Sequence, residues 1–139
     1  MRHYILCDID HVISDAFRRD YMISAVDSSW DDYHTAAADD EPIDDMVRAI
    51  NAFATNGFLV VGFTARPRKW YNMTMKWMTR NGVMIDELLM RPDENYRPAP
   101  EVKIELALER FGGEAGLREN VMLVLDDRED VAAAFNGLG

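Results

Sequence analysis

Two aspartates separated by one residue follow the first apolar run of the chain. Asp8 and Asp10 lie in the stretch CDIDHVISD at residues 7–15, directly after an apolar run at residues 4–6 that predicts a buried strand. In an extended segment, side chains two residues apart face the same side. The pair could therefore act on one phosphorus atom. Asp8 would be a nucleophile that forms an aspartyl-phosphate, and Asp10 would be the general acid and then the base for water.

The elements that must position this pair alternate along the chain. Continuous apolar runs occur at residues 3–7, 58–63 and 121–125, and shorter apolar pieces occur at residues 83–90. Continuous runs are typical of strands that are covered on both faces. Helical spacing of apolar residues predicts helices over residues 42–56, 101–111 and 129–136, and one that opens at Pro67 and stops at Asn81-Gly82. This alternation predicts a three-layer α/β fold with a parallel sheet.

One segment is too long for an ordinary connection in this alternation. Residues 14–41 separate the first strand from the first core helix, which exceeds the usual length of a loop between a strand and a helix. Its aromatic residues are Phe17, Tyr21, Trp30 and Tyr33. We therefore expect this segment to fold as a small cap or lid beside the acidic pair, within a single domain that spans residues 1–139.

Further polar residues follow the other predicted strands. Ligands in open α/β sheets bind beyond the carboxyl ends of the strands. At these ends, or near the start of the third helix, the sequence has Thr64, Ala65, Arg66, Lys103, Asp126 and Asp127. Four carboxylates at one edge would repel one another, and Mg²⁺, which prefers oxygen ligands, would relieve that repulsion. Thr64, Lys103 and Arg66 would then hold the oxygens of a phosphate.

Four stretches together resemble the motifs of the haloacid dehalogenase (HAD) superfamily of phosphatases. They are CDIDHVI, FTAR, the lysine of EVK and LVLDDRED, and they occur in the family's order over nearly the whole chain. The stretches FTARP, DELLMRPDENYRP and LVLDDREDVAAAF are most similar to the 3′-phosphatase domains of phage polynucleotide kinases and their stand-alone relatives. The resemblance implies a Rossmann-like HAD core and phosphomonoester hydrolysis.

The resemblance also implies a metal site and a division of catalytic work. Asp8 corresponds to the nucleophile and Asp10 to the acid and base. The family's Mg²⁺ would be held by Asp8, the main-chain carbonyl of Asp10, and Asp126, with Asp127 close behind.

A second group of residues is implied in binding the substrate. Thr64 and Lys103 would bind the phosphate, and Arg66 falls where the family has a substrate-binding arginine. A further functional arginine follows the first motif in this family, and either Arg19 or Arg18 would supply it.

The chain departs from the family pattern at three positions. His11 and Val12 replace the usual glycine and threonine after the second aspartate, and His11 becomes a candidate substrate contact at the mouth of the site. Ala99 occupies a position that is usually acidic, four residues before the lysine of the third motif. Glu101 or Glu105 would then orient that lysine instead.

The charge and hydropathy of the chain argue against several classes of protein. The formal net charge of −10 argues against an extensive nucleic-acid-binding surface, which needs many lysines and arginines, but not against a small phosphorylated ligand. The acidic run at residues 27–45 is expected to be mostly a solvated face. No apolar run has the length of a membrane span, and the early strand argues against a signal peptide. We expect a cytoplasmic protein of phage or bacterial type, without a kinase domain because no phosphate-binding P-loop motif is present.

Three classes of function remain open from the sequence. The first is a Mg²⁺-dependent phosphomonoesterase, acting either on a 3′-phosphate at a DNA or RNA end or on a free nucleoside monophosphate. The second is a receiver-like signalling domain, although a receiver carries its phosphorylated aspartate near mid-chain, where this chain has Thr64. The third is an inactive metal-binding interaction module. The sequence leaves the substrate and the oligomeric state undetermined.

Overall fold

Four parallel strands form the centre of the computed structural model, which describes residues 1–23 and 29–138. The strands are β1 (Tyr4–Cys7), β2 (Leu59–Pro67), β3 (Glu87–Arg91) and β4 (Val121–Leu125). Their order in the sheet is β3-β2-β1-β4, and every pairing is parallel. The predicted parallel α/β fold is confirmed.

Helices connect the strands. They are α1 (Trp30–Ala36), α2 (Asp44–Thr55), α3 (Tyr71–Arg80), α4 (Ala99–Phe111), α5 (Glu114–Asn120) and α6 (Glu129–Asn136). Short 3₁₀ turns occur at Ala16–Ile23, Ala37–Asp39 and Arg68–Trp70. None of the helices in this described part of the chain is long and apolar enough to cross a bilayer.

Two apolar clusters lie on opposite faces of the sheet, so the fold has three layers. One joins the strands to α2 and α3 through Cys7, Ile9, Val12, Ile13, Val47, Ile50, Val60, Trp77, Met78 and Val83. The other joins them to α4, α5 and α6 through Leu6, Val61, Phe63, Ala107, Phe111, Leu117, Val121, Val131 and Phe135. Neighbouring strand residues such as Leu6 and Cys7 belong to different clusters because successive side chains of a strand point to opposite faces.

The strand order produces a crevice at the carboxyl end of β1. The chain runs outward from β1 to β3 and then returns to form β4 on the other side of β1. Loops therefore leave β1 and β4 in different directions, which is the place where open α/β sheets bind ligands. Cys7 pairs with Leu125, and the N–H of Asp8 donates to the carbonyl of Leu125 at 2.9 Å. This register brings the residues that follow the two strands together.

The predicted end of the second strand was wrong. The strand continues through Pro67 because β3 pairs with it, with Pro67 opposite Arg91. A 3₁₀ turn over Arg68–Trp70 follows, and α3 begins only at Tyr71. The third strand likewise begins at Glu87 rather than at residue 83. In both cases the pairing partner, not local apolar content, decides where the strand lies.

Helix α5 was not predicted. Its seven residues, Glu114–Asn120, are too few for a periodic apolar pattern. Gly112 ends α4 with a left-handed φ of 75°, a conformation that glycine adopts without strain. A Cβ at Gly116 would lie 1.8 Å from the carbonyl oxygen of Phe111, so only glycine fits where α5 turns back against α4.

The segment between β1 and α2 is folded where the structure describes it. It contains the 3₁₀ turn Ala16–Ile23, helix α1 and the turn Ala37–Asp39, while residues 24–28 of the predicted lid, and Asp27 with them, lie outside the described residues. The indole Nε1 of Trp77 on α3 donates to the carbonyl of Asp40 at 2.9 Å. This contact ties the end of the segment to the core.

Candidate active site

Asp8 lies at the centre of the crevice and is 4% exposed. The N–H of Ile9 donates to its Oδ1 at 2.8 Å, and Nζ of Lys103 lies 3.0 Å from the same oxygen. Burial raises the pKa of Asp8 well above its ordinary value, although Lys103 partly offsets that effect. Both contacts are made by Oδ1, so this oxygen is held in place.

Lys103 bridges two buried carboxylates. It comes from the first turns of α4, and its Nζ donates to Oδ2 of Asp126 at 2.5 Å while pairing with Asp8. Burial alone would lower the pKa of Lys103, but the charges of Asp8 and Asp126 outweigh it and raise the pKa above the ordinary value. Lys103 is therefore an ammonium ion at neutral pH. Its Nζ also lies 4.9 Å from the ring centroid of Phe63.

The acids predicted to orient Lys103 do not contact it. Glu105 is paired with Arg97 on the surface, and Glu101 is exposed. Asp8 and Asp126 hold the ammonium group of Lys103 instead, so the prediction that Glu101 or Glu105 orients this lysine was wrong. The reason is that the lysine extends from the helix toward the sheet edge, away from the acidic residues of its own helix.

Three carboxylates form a cluster with the donor set of a magnesium site. Asp8, Asp126 and Asp127 each offer an oxygen, and these oxygens lie within 4.8 Å of one another. The N–H of Arg128 donates to Oδ1 of Asp126 at 3.0 Å and holds that side chain. An all-oxygen set with one lysine beside it retains excess negative charge, which suits a hard divalent cation. The residues present therefore fit Mg²⁺.

Asp10 faces a different group of partners. Nη2 of Arg66 donates to its Oδ1 at 2.7 Å and Nε to its Oδ2 at 3.2 Å, and Arg19 donates to Oδ1 as well. Burial would raise the pKa of Asp10, but the two guanidinium groups outweigh burial and hold this pKa far below its ordinary value. The carboxylate of Asp10 thus lies with the arginines rather than in the acidic cluster, and metal binding through its main-chain carbonyl stays a prediction.

Arg19, rather than Arg18, reaches the site. Arg19 is 2% exposed and joins Asp10 to Asp40, which accepts from Arg19 Nη2 at 2.8 Å and from Nε at 3.0 Å. The guanidinium also lies 4.3 Å from the ring centroid of Tyr33. Arg18 is exposed and donates to the carbonyl of Asp39 at 2.7 Å.

Asp40 is the site residue that the sequence did not indicate. It belongs to the acidic run that was expected to be solvated, yet it is 6% exposed. Besides Arg19, the hydroxyl of Ser14 donates to its Oδ2 at 2.5 Å. No local pattern distinguishes Asp40 from its exposed neighbour Asp39, because the partner that buries it lies 21 residues earlier in the chain.

Replacing Asp40 by asparagine should destabilise the protein by about 3 kcal/mol, because the substitution breaks a buried ion pair while keeping the shape of the side chain. Urea unfolding followed by circular dichroism measures this loss. Asp39→Asn, at the exposed neighbour, is the matched control and should change the free energy of unfolding by less than about 0.5 kcal/mol. Equal effects of the two substitutions would contradict a structural role for the Arg19–Asp40 pair.

Strand β2 contributes Thr64, Ala65 and Arg66. Thr64 is buried, and its Oγ1 accepts from the N–H of Arg66 at 3.1 Å. The carbonyl of Ala65 accepts from Nε of Arg91 at 2.8 Å, which anchors this end of β2 to β3. Nη1 of Arg66 donates to the hydroxyl of Thr74 on α3 at 3.2 Å. Arg66 is therefore held in place as well as paired with Asp10.

His11 lies at the edge of the site in a left-handed conformation, with φ of 66°. Its Nε2 lies 3.2 Å from Oδ1 of Asp20, and its ring centroid is 4.3 Å from that of Phe17. The structure thus brings His11 into contact with the segment predicted as a lid. Substrate contact by His11 stays a prediction.

The chain matches one family model, and that family is consistent with a phosphatase site. A family model described as "Polynucleotide kinase PNKP phosphatase domain" matches residues 2–139. A search of the curated proteins found none that matches the chain.

Solved structures with similar folds include two of the Pnkp1/Rnl/Hen1 assembly. One, titled as an RNA repair complex, has a TM-score of 0.80 and 23% identity and covers 98% of this chain and 39% of that chain. The other has a TM-score of 0.78 and 23% identity and covers 98% of this chain and 42% of that chain. A class C acid phosphatase from Bacillus anthracis has a TM-score of 0.60 and 17% identity, with coverage of 78% and 48%. This chain thus spans less than half the length of each of these three.

Proposed function

This chain belongs to the family of polynucleotide kinase PNKP phosphatase domains within the HAD phosphatases, and on that premise we propose that it is a Mg²⁺-dependent phosphomonoesterase that removes a 3′-phosphate from a nucleic-acid end. The observation that carries the proposal is the buried Asp8, held against Lys103 beside the cluster of Asp126 and Asp127 at the crevice. Neither a receiver domain nor an inactive module is favoured by this family membership.

In the first step, Oδ2 of Asp8 attacks the phosphorus atom. The bond from phosphorus to the ester oxygen breaks, and that oxygen takes a proton from the carboxyl group of Asp10. The products of this step are an aspartyl-phosphate and a free hydroxyl at the sugar. Lys103 stabilises the charge that gathers on the transferring phosphoryl group, because its ammonium ion is fixed beside Asp8 before the reaction.

In the second step, water attacks the same phosphorus atom. Asp10, now a carboxylate, takes a proton from that water, and the bond from phosphorus to the Asp8 oxygen breaks. Inorganic phosphate leaves, Asp8 is again a carboxylate, and Asp10 carries the proton for the next cycle. Mg²⁺ held by Asp8, Asp126 and Asp127 would supply positive charge that offsets the repulsion between these carboxylates and the phosphate.

The two arginines explain how Asp10 can become a proton donor. Arg66 and Arg19 pair with Asp10 in the structure, and these pairs favour the ionised carboxylate. A phosphate dianion offers the guanidinium groups a competing, bidentate partner. When the arginines turn to the phosphate, Asp10 loses the charges that lower its pKa and gains a negative neighbour, so its protonated form becomes accessible.

The segment at residues 14–41 is part of the same proposal. It carries Arg19 and Asp40, which meet across its two ends, so the segment holds an arginine beside the acid of the reaction. We assign it as a small cap on a single domain. Such a cap would bring the arginine to the phosphate and limit the access of water.

Two features bear on the substrate. The family takes its description from polynucleotide kinase, and one structure with a similar fold is that of an RNA repair complex. Both descriptions support a 3′-phosphate at a nucleic-acid end as the substrate. The formal net charge of −10 disfavours long polyanions and supports the second candidate, a free nucleoside monophosphate.

A matched substrate panel tests the proposal. Phosphate release with Mg²⁺ would be measured for nucleoside 5′-monophosphates, nucleoside 3′-monophosphates and oligonucleotides of DNA and RNA with a 3′-phosphate, with EDTA as a control. We expect the highest kcat/KM for the 3′-phosphorylated oligonucleotides and no release in EDTA. A preference for free monophosphates would instead identify a nucleotidase, and release from no substrate would overturn the phosphatase function.

Replacing Asp10 by asparagine should slow phosphate release in a manner that depends on the leaving group. For a sugar hydroxyl, which needs a proton to leave, we expect a loss of roughly 10²–10⁴-fold in kcat. For a phenolic ester with an acidic leaving group, the loss should be much smaller in the first step, as measured by the initial burst of phenol. An equal loss of burst rate for both types of ester would contradict the role of Asp10 as general acid.

A further inference from the structure

A group of four rings lies next to the arginines of the proposed active site. Trp30, Tyr33 and His34 come from α1, and Trp70 comes from the turn that follows β2. We call this group the aromatic cluster. The rings of Trp30 and His34 are stacked, with centroids 5.9 Å apart and planes at 28°. The ring of Trp70 is tilted relative to that of His34, with centroids 6.3 Å apart.

The aromatic cluster is joined directly to the catalytic residues. The ring of Tyr33 lies under the guanidinium of Arg19 at 4.3 Å, and Nη1 of Arg19 donates to the carbonyl of Tyr33 at 3.3 Å. Arg19 in turn donates to Asp10. One arginine therefore separates the cluster from the acid that would protonate the leaving oxygen, so a ligand on the cluster lies close to the reacting phosphate.

One member of the cluster is open to solvent. Trp30 is 58% exposed, whereas Tyr33 and His34 are 7% and 8% exposed. Burial lowers the pKa of His34 to about 4, so the imidazole beneath Trp30 is uncharged at neutral pH. The large exposed indole, backed by a neutral ring and held at the first turn of a short helix, offers a flat apolar face to solvent.

The cluster also has unused hydrogen-bonding groups. Within the described ranges, Nδ1 of His34 and Nε1 of Trp70 are buried and have no hydrogen-bond partner. Lys69 lies beside the same indole, with its Nζ 5.4 Å from the ring centroid of Trp70 and paired with Asp31 at 2.6 Å. A ligand with a flat ring beside a phosphate complements the exposed indole of Trp30 and the guanidinium of Arg19 next to the cluster.

We propose that Trp30, supported by His34, binds a nucleobase of the substrate by stacking, and that the aromatic cluster is the subsite that distinguishes nucleotidic phosphates from other phosphate esters. This inference rests on the proposed function and deepens it. Stacking on an aromatic side chain binds any base, because every base has a π-face. The subsite would therefore give affinity for a nucleic-acid end without reading its sequence and without an extended basic surface.

The decisive experiment compares two oligonucleotides that end in the same 3′-phosphate, one complete and one with abasic sites at its last two nucleotides. For the complete oligonucleotide, Trp30→Ala should raise KM roughly tenfold, in the range of stacking on an aromatic residue, with kcat nearly unchanged. For the abasic oligonucleotide the same substitution should have no effect. Trp30→Phe, which keeps a ring, should restore most of the lost affinity.

A matched control separates stacking from a general loss of apolar surface. Leu59 is also an exposed large apolar residue, 40% exposed, but it lies at the start of β2, at the opposite end of the sheet from the site. Leu59→Ala should leave KM unchanged for both oligonucleotides. The inference is overturned if Trp30→Ala leaves KM for the complete oligonucleotide unchanged, or raises KM equally for the complete and the abasic one.

A binding measurement keeps this inference distinct from the proposed function. Tryptophan fluorescence of the Asp8→Asn variant, which should bind substrate without turning it over, would be titrated with the complete and the abasic oligonucleotide and with a nucleoside 3′-monophosphate. We expect quenching by the ligands that carry a base, and its loss in the Asp8→Asn, Trp30→Phe double variant. Base-dependent quenching, combined with no turnover by the native protein, would contradict the phosphatase function alone. Turnover by the native protein, combined with no base-dependent quenching, would contradict the stacking subsite alone.

Discussion

Asp8→Asn should abolish phosphate release and leave the fold intact. We expect kcat to fall by roughly 10⁴-fold or more, the scale seen when a hydrolase loses its nucleophile. An amide cannot attack phosphorus, whereas it can still accept the N–H of Ile9 that holds Oδ1. Burial raises the pKa of Asp8, so a neutral side chain at this position costs less to bury than a carboxylate. Lys103 keeps its pair with Asp126, so no buried charge is left unpaired, and the midpoint of thermal unfolding should not fall by more than a few degrees.

Three measurements check this expectation. Single-turnover phosphate release gives the rate of the chemical step, thermal unfolding reports the fold, and acid-quenched protein analysed by mass spectrometry reports the aspartyl-phosphate. Asp45→Asn is the control, because that side chain is 95% exposed and its substitution should leave the rate unchanged. Substantial residual turnover in Asp8→Asn, or a phosphoryl group mapped to another residue, would rule out Asp8 as the nucleophile.

Lys103→Met should lower both the free energy of unfolding and the rate of phosphate release. Methionine fills a similar volume, but Asp8 and Asp126 then lose the cation that lies between them. Leaving buried charges unpaired costs about 3–5 kcal/mol, so the free energy of unfolding in EDTA should fall by that amount. Activity with Mg²⁺ should fall by roughly 10²–10³-fold, because in the proposed mechanism the lost ammonium ion also stabilises the transferring phosphoryl group.

Mg²⁺ gives the Lys103→Met experiment a second readout. An ion that binds only the folded state stabilises that state by mass action, so adding Mg²⁺ should recover part of the lost stability, and more in Lys103→Met than in the native protein. Arg110→Met is the matched control: it breaks the half-exposed pair with Glu87, which is worth about 1 kcal/mol or less. Equal losses in the two variants would contradict a buried bridging role for Lys103.

The two aspartates of the opening motif have opposite pKa shifts because their surroundings differ. Asp8 is placed beside other carboxylates and one lysine, and burial raises its pKa. Asp10, two residues later, is placed between two guanidinium groups that lower its pKa. In sites of this kind the carboxyl group with the raised pKa is ordinarily the proton donor, so the two shifts in this structure run opposite to the roles proposed for Asp8 and Asp10. The proposed roles therefore require a positive charge, such as Mg²⁺ beside Asp8, to favour its carboxylate. In this chain the expected assignment also requires the arginines to leave Asp10 when phosphate binds.

The local pattern of the chain determined a large part of this result. Apolar runs and helical spacing predicted a parallel three-layer fold, since burial on both faces requires such runs, and the order of four short motifs predicted the family. Placement of Asp8, Thr64, Lys103 and Asp126 at one sheet edge followed from a general property of parallel sheets: the carboxyl ends of neighbouring strands meet. These inferences needed no knowledge of particular side-chain contacts.

Tertiary structure alone decided which charges are buried together. Asp40 and Asp39 are equivalent in sequence pattern, yet only Asp40 is buried, because Arg19 and Ser14 reach it from the other end of the same segment. The choice of Arg19 over Arg18 likewise depends on how the turn at Ala16–Ile23 packs against Tyr33 of α1. The partners of Lys103 depend on how α4 packs against the sheet, beside the residues that follow β1 and β4. Periodicity and motif order describe each element by itself, whereas a contact between residues that are far apart in the chain depends on the relative position of two elements, which the whole fold fixes.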